Sequence, residues 1–438
     1  MAKKQTAPAL VPEAEQPYPI PSNWRWVRLG AVCEFIGGGT PNKKVPSYWN
    51  GDISWASVKD IKGQYLTVTI DHITEEGLQN SASNLCDRND LLLVTRIEPG
   101  KSIIAGITAA VNQDLKIVKS PLPVRFLYYF FETFRQEFLD QSRGTTVKGI
   151  SVPMIQKFPF PLPPLPEQQR IVDRIDRLFT KLYAAQEKAQ AVVDGYELRR
   201  AAILHKAFTG ELTAKWREKQ GIGLGTWKET RFDDCIHKMQ NGLAKRTGET
   251  GIPYVVLRLA NLSDEGFVTD NLREILLDEK EQSAYELHES DAIMVRVNGS
   301  RDNVGKQYLI THQKNWAFCD HIIRIVYNQN VLPAYMLYFS KGIRYRLYIS
   351  DHMVTTAGQN TISRKGMSSL YVPVPQIMEQ KEIVRILDRL LTDEQRTRDA
   401  AETVLTTIDV MKKKILGMAF RGLLGTNNPA EACAGLPV

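Results

Sequence analysis

Along two stretches of the chain, apolar residues recur every three or four positions. The first runs Ile171, Ile175, Leu178, Leu182, Ala185, Ala189, Val192, Tyr196 and, after Arg199, Ile203. The second runs Ile383, Leu387, Leu390, Ala401, Val404, Ile408, Met411 and Ile415, interrupted at Glu394 and Thr397. A 3-4 step sustained this long is the heptad signature of a helix with one apolar seam. Prolines before Glu167 and Glu379 prevent an earlier helix start, and the two glutamates suit the positive end of a helix dipole. A helix of about 40 residues spans roughly 60 Å. A stripe of that length needs a cover. Mutual packing of the two helices is the expected one; packing on a globular domain or on another chain are the alternatives.

The two stretches are copies of one segment. Residues 161–212 and 373–424 align without a gap at a fixed offset of 212. Glu167-Gln168 meets Glu379-Gln380, and Ile171-Val172 meets Ile383-Val384. Asp176-Arg177-Leu178 meets Asp388-Arg389-Leu390, and Ala207-Phe208-x-Gly210 meets Ala419-Phe420-x-Gly422. About a third of the positions are identical, too many for chance at one offset.

The segments before the helices, residues 22–160 and 226–372, form a second and more diverged pair. Each opens on tryptophan and basic residues, Trp24-Arg25 and Trp227-Lys228. Each has a strand-like run, Ile53–Val58 and Tyr254–Leu259, and then a second one, residues 89–96 and 290–296. Gly149-Ile150-Ser151 meets Thr361-Ile362-Ser363 at the same offset of 212. These segments read as mixed domains of short strands, turns and a few helices. The resulting organisation is a flexible tail (1–21), a globular domain (22–160), a helical segment (161–212), a glycine-rich linker (213–225), a second globular domain (226–372), a second helical segment (373–424) and a tail (425–438). The fold class is α+β, two mixed α/β domains alternating with long helices, with pseudo-two-fold duplication.

Composition narrows the chemistry. The formal net charge is +7, which favours a polyanionic partner such as DNA; the alternative is a mildly basic protein with no such partner. The five cysteines form no Cys-x-x-Cys pair, as expected of reduced thiols in the cytoplasm. No run reaches the roughly 18–20 apolar residues of a membrane span, and the proline-rich start lacks the apolar core of a signal peptide. Catalytic motifs are missing. Pro99-Gly100-Lys101-Ser102 resembles the end of a phosphate loop, but the glycine required five residues before Gly100 is Thr95. Gly37-Gly38-Gly39 lacks the Lys-Ser/Thr ending, and Glu379-Gln380-Lys381 has a nuclease-like spacing but sits at a helix start. The seven histidines are dispersed, so no metal site is expected.

Polar loops that recur in both halves are the candidate DNA contacts. One set is Thr145, Thr146, Lys148 and Ser151 in the first half, with Gln359, Asn360 and Ser363 in the second. The other is Arg96 in the first half, with Arg296, Asn298, Ser300 and Arg301 in the second. Hydroxyls, lysines and backbone amides suit phosphate, while glutamine and asparagine can pair with an adenine edge. The residues expected in a helix-helix seam are Ile171, Ile175, Leu178, Leu182, Val192, Ile203, Ile383, Leu387, Leu390, Val404, Ile408 and Ile415.

Two diverged domains alternating with two similar helical segments resemble the specificity subunit of type I restriction-modification systems. Pro161–Val172, read Pro-Leu-Pro-Pro-Leu-Pro-Glu-Gln-Gln-Arg-Ile-Val, is typical of that family, as is the Ala-Phe-x-Gly-x-Leu ending at 207–212 and 419–424. The resemblance implies target recognition domains that each read half of a split DNA site. It implies an antiparallel coiled coil that sets the gap and docks two methyltransferase subunits. Those partners would hold S-adenosylmethionine, and separate restriction subunits would use ATP and Mg2+. One departure is Thr95-Arg96-Ile97-Glu98-Pro99, where the second half has the polar, glycine-containing Arg296-Val297-Asn298-Gly299-Ser300. A helical scaffold that binds no DNA is the rival reading. A self-sufficient nuclease or methyltransferase would need motifs that the sequence lacks.

Overall fold

The structure is a computed structural model that describes residues 10–144, 148–264, 266–311 and 314–431. The chain divides into two compact units. One comprises residues 1–189 with 403–438, the other residues 190–402. Both boundaries fall inside the long helices, so each unit holds a globular part and portions of both helical segments.

In the first unit, a five-stranded sheet runs Glu34–Gly37, Leu115–Lys119, Leu91–Val94, Ser102–Ala105 and Tyr65–Leu66. A four-stranded sheet runs Asp71–Ile73, Trp49–Ala56, Ala109–Val111 and Asn84–Cys86. Leu91–Val94 and Ser102–Ala105 are buried at every position, so both faces of these two strands are covered. The Val124–Thr133 helix presents Phe126, Phe130 and Phe131 to a core that Ile171, Val172, Ile175, Leu416 and Phe420 complete. The described part of the predicted loose tail, residues 10–21, is packed onto the fold. Leu10 bridges Val27, and the Tyr18 hydroxyl donates to the Phe420 carbonyl at 3.1 Å.

The second unit repeats the plan. One sheet runs Ile236–Asn241, Ile322–Tyr327, Ala292–Val295 and Gln307–Leu309. Another runs Glu274–Leu277, Ile252–Leu257 and Trp316–Phe318. In both units the strand-like run found in sequence pairs parallel with a later strand: Trp49–Ala56 with Ala109–Val111, and Ile252–Leu257 with Trp316–Phe318. Tyr335, Phe339, Tyr345 and Met367 form the core with Leu204, Ala207, Ile383 and Leu387.

The second helical segment is one helix, Ile377–Phe420. The first divides at Gly195 into Leu165–Asp194 and Tyr196–Phe208, a break that the heptad steps pass over. Inside the stretch read as a linker, Ala214–Gln220 is helical and Arg217 is buried. The segments run antiparallel. In the first unit Lys412 donates to Gln186 at 2.7 Å and lies over the Tyr183 ring. In the second, Tyr196 donates to Gln395 at 2.6 Å and Arg199 pairs with Glu394 at 2.8 Å.

Of the expected seam residues, Ile171, Ile175, Ile383, Leu387 and Ile408 are buried, while Leu178, Leu182, Val192, Leu390, Ile203 and Ile415 are half-buried. Burial moves one position along in places, to Phe179, Leu204 and Leu416. A straight helix has 3.6 residues per turn, so its buried face drifts about 20° per heptad away from a strict seven-residue register. Val404 corrects the expectation outright: it is 43% exposed. At the helix starts, Ile171, Ile175, Ile383 and Leu387 pack into the globular cores as much as against a helix.

The repeated motifs have structural explanations. Gln168 donates to the Pro163 carbonyl and Gln380 to the Pro375 carbonyl, both at 2.8 Å, tying down the proline run ahead of each helix. Asp176 accepts from Arg125 and Tyr129, and Asp388 accepts from Tyr338, anchoring each globular part to the following helix. Gly210 (φ +83°) and Gly422 (φ +74°) end their helices in the left-handed conformation, and the amides of Leu212 and Leu423 cap the carbonyls of Lys206 and Met418. This capping accounts for the Ala-Phe-x-Gly repeat.

Candidate nucleic-acid interface

In each unit the recurring loops come together at the end of one central strand. In the first, Leu91–Val94 ends and Arg96 bridges Gly149, which also pairs with Arg143. The Ile150 amide donates to the Thr95 carbonyl at 2.9 Å, and the Ile97 amide to the Lys148 carbonyl at 2.8 Å. Ile97 takes φ +75°, a costly conformation for a β-branched residue that these pairings hold in place. In the second unit, Ala292–Val295 ends at Arg296. Val297–Asn298 then pairs with Gln359–Thr361, which pairs in turn with Val354–Thr356. The Ile362 amide donates to the Arg296 carbonyl at 3.0 Å. The Gly149-Ile150 and Thr361-Ile362 positions, linked in sequence only by the offset, thus close onto equivalent strand ends.

The Val354–Thr361 hairpin turns at Ala357 (φ +48°) and Gly358 (φ +77°), the pair of left-handed residues that a two-residue hairpin requires. Val354, Thr355, Thr356 and Gln359 are exposed. Asn360 is turned inward. Its amide donates to the Gly299 carbonyl at 2.9 Å and accepts from the Thr355 hydroxyl at 2.7 Å, joining the hairpin to the Arg296–Arg301 loop. Asn298 accepts from the Ser300 amide, and Arg301 reaches the Ser350 carbonyl at 3.2 Å. Ser300 and Arg301 are exposed. Ser363 accepts from the Gly366 amide, capping the short helix that follows. In the first unit Lys148 and Ser151 are exposed, and Ser151 precedes the Val152–Gln156 helix. Thr145 and Thr146 lie outside the described residues.

The two arginines sit one position apart in the repeat, since Thr95 and Arg296 make the equivalent backbone bonds, yet each reaches the same turn of its unit. Arg96 pairs with Asp114 at 3.3 Å, and Arg296 donates to the Asp320 carbonyl at 3.0 Å. Both partners follow the strand that pairs parallel with the early one, Ala109–Val111 or Trp316–Phe318. Neither was visible in sequence, because a single aspartate in a short turn carries no periodicity or motif. Burial pushes the pKa of Lys116 down, and Arg96 adds to the effect, whereas Asp114 opposes it. Burial raises the pKa of Asp320, but Arg246 and His321 outweigh it and hold the carboxyl below the usual carboxylate range.

The motifs set aside in sequence have structural uses. Lys101 pairs with Glu98 at 2.7 Å, in a turn that Gly100 (φ +89°) closes onto the Val94 carbonyl. Glu379 is fully buried, and its carboxylate accepts from Arg217 and Thr213 at 2.6 Å and from the Trp227 ring at 2.9 Å. Glu167 is buried likewise. It accepts from the Asn427 amide and the Thr426 hydroxyl, both at 2.9 Å, and pairs with Arg170. Among the described residues, Cys319, Asp320 and His321 are the one group spaced to hold a metal ion. Both Asp320 oxygens are already engaged by Arg246, at 3.0 and 3.2 Å, and burial pushes the Cys319 thiol up. That furnishing is of an ion pair, not of a ligand set.

The described residues thus combine duplicated mixed domains, helical segments that run antiparallel, and polar loops that recur at equivalent strand ends. The chain belongs to the type I restriction modification DNA specificity domain family, whose sequence profile matches residues 21–192 and 227–401. It is 31% identical over 302 residues to the StySPI specificity subunit of Salmonella potsdam, an alignment spanning 68% of this chain and 64% of that one. It is 26% identical over 310 residues to the EcoKI specificity subunit of Escherichia coli K12, covering 70% and 67%. In structure it is similar to a chain of a type I restriction-modification assembly, with TM-score 0.68 and 18% identity over 93% of this chain and 100% of that one. The HsdS subunit of Thermoanaerobacter tengcongensis gives TM-score 0.63 and 18% identity over 94% and 100%. These two likenesses concern the fold. No described helix is long and apolar enough to cross a membrane.

Proposed function

We propose that this chain is the DNA specificity subunit of a cytoplasmic type I restriction-modification complex and catalyses nothing alone. Its globular segments, 22–160 and 226–372, act as target recognition domains, each reading one half of an asymmetric split site. The helical segments, 161–212 and 373–424, set the gap and dock two methyltransferase subunits. In the assembled complex those subunits bind S-adenosylmethionine and methylate adenine, while restriction subunits use ATP and Mg2+ to cut.

The observation that carries this reading is the recurrence of one polar loop pair at the same strand end in two units of diverged sequence. Duplicated readers with different side chains are what a two-part asymmetric site requires. In the second unit, the hairpin bearing Thr356 and Gln359 has the width of a β-ribbon that a major groove admits. Arg96, Lys148, Ser151, Ser300, Arg301, Gln359 and Ser363 are the contact residues on this reading, together with Thr145 and Thr146 from the sequence. Arg296, Asn298 and Asn360 hold the loop that presents the others. Phosphate contacts supply much of the affinity, so binding weakens steeply with salt.

The test is to express the chain with its neighbouring methyltransferase subunit and map modified adenines across a genome. A single motif of two short parts with a fixed gap is the expected result. A correctly assembled complex that leaves no such motif overturns the reading.

A further inference from the structure

The turn that carries Asp114 in one unit and Asp320 in the other packs beside a second loop in each case. In the first unit, the Gly39 amide donates to the Val111 carbonyl at 3.0 Å, bringing residues 40–44 alongside 112–114. In the second, the Leu243 amide donates to the Phe318 carbonyl at 2.8 Å, bringing residues 243–246 alongside 319–321. Both loop pairs touch the arginine strand end through the same bond: Thr95 amide to Asp114 carbonyl, and Arg296 amide to His321 carbonyl, each at 2.8 Å. The two places are therefore equivalent in the fold.

They are furnished differently. The first opens into a cleft of about 720 Å3, with Trp49 and Trp55 edge-to-face on its wall and Thr40, Lys43, Lys59 and Gln113 around it. Lys43 and Lys59 are exposed and, among the described residues, have no ion-pair partner. Gln113 is exposed. Its carbonyl oxygen accepts from the Thr40 hydroxyl, which orients the amide, while its nitrogen makes no bond among the described residues. In the second unit the corresponding cations are neutralised. Lys245 pairs with Glu281 at 2.6 Å, and Arg246 lies in a two-bond pair with Asp320. The Arg246 side chain is still 52% exposed, so a carboxylate fixes its plane and leaves its other N–H groups accessible.

An amide oriented by a hydroxyl and a guanidinium oriented by a carboxylate are both arrangements that suit the edge of a base pair. Unpaired lysines beside one of them suit phosphate. Residues that only built the fold would be expected to match at equivalent places, as Gln168 and Gln380 do; these do not. Resting on the reading given under Proposed function, we infer that residues 40–44 with 112–114, and residues 243–246 with 319–321, are further elements that read double-stranded DNA beside the strand-end loops, each for its own half-site, with Gln113 and Arg246 as base-reading side chains.

The experiment is motif mapping with the assembled methyltransferase complex carrying Gln113→Leu or Arg246→Leu. Gln113→Leu relaxes one position of one half-site, with discrimination there falling roughly 5- to 150-fold, and leaves the other half unchanged. Arg246→Leu does the same in the opposite half alone. Lys43→Ala with Lys59→Ala weakens binding to all sequences and lowers the slope of log affinity against log salt by about 2. Should either leucine variant fail to assemble, Gln113→Asn and Arg246→Lys displace the same hydrogen-bonding groups with less disturbance and give the same one-sided changes. The inference is overturned if the variants leave the motif intact, or if both act on the same half, while the unsubstituted complex yields a two-part motif. Absence of any motif from the unsubstituted complex defeats the parent reading instead.

Discussion

Replacing Glu379 by alanine tests the internal clamp that closes the second unit. The Glu379 carboxylate is fully buried and is the shared acceptor for Arg217, Thr213 and Trp227. The Arg217 side chain is itself only 9% exposed. Truncating the glutamate leaves a buried guanidinium without its counter-charge, and the Thr213 O–H and the Trp227 ring N–H without an acceptor. Removing one partner of a buried pair costs about 3–5 kcal/mol. For a unit of this size that lowers the melting temperature by roughly 6 to 20 °C, at about 2–4 °C per kcal/mol. Removing both charges together, Glu379→Leu with Arg217→Met, recovers most of the loss, because no uncompensated charge remains. Because the chain has two units, the readout must be local. Amide hydrogen exchange across residues 213–231 and 371–383 reports the second unit separately from the first. The reasoning is refuted if Glu379→Ala destabilises these amides no more than the exposed Glu279→Ala does, or if the double variant is as unstable as the single one.

Three further predictions follow from the same geometry. A chain ending at Leu424 deprives buried Glu167 of the Thr426 hydroxyl and the Asn427 amide, so exchange protection falls in residues 22–176 and not in residues 226–372. The pKa of Glu167 is held down because those bonds and Arg170 outweigh the upward push of burial; its folded value is therefore below the unfolded one, so its stabilisation is present above the usual carboxylate pKa of about 4.3 and is lost as pH falls further, which acid unfolding of the intact and shortened chains will show. Gly358→Val forces a β-branched residue to φ +77° at a cost of about 1–2 kcal/mol, loosening the hairpin, and increased exchange of the Val354 and Thr361 amides measures it. Lys148→Ala lowers DNA affinity of the complex evenly across sequences and reduces the salt slope by about 1, while the motif stays the same.

The sequence revealed whatever rests on periodicity or on repetition. The helices were legible because an apolar seam has to recur every three to four residues. The recurrence of the Arg96 and Arg296 elements, and of Gly149-Ile150 and Thr361-Ile362, was legible in both halves; that each pair comes together at one strand end was not. The division at Gly195 was not, since the apolar steps continue through it. Nor was the inward turn of Asn360, whose polar atoms answer to Gly299 and Thr355 in three dimensions. Asp114, Gln113, Lys43 and Arg246 went unread for a related reason. They sit in short turns, and a place that differs between the two halves gives no repeat to find. The features most open to comparison between the halves include those that build the fold, and the residues inferred above to read DNA, Gln113 and Arg246 among them, lie where that comparison fails.

The first unit is made of two separated stretches of chain, and this orders its assembly in time. Its core needs Leu416, Ala419 and Phe420 beside Phe126 and Phe130, and its buried Glu167 waits for residues 426 and 427. The second unit is continuous from 190 to 402. On the ribosome, the half that is translated first therefore completes its core last. The side of its phenylalanine cluster that Phe420 covers stays open through the synthesis of some two hundred further residues, the interval in which chaperones or early docking partners have the most to protect.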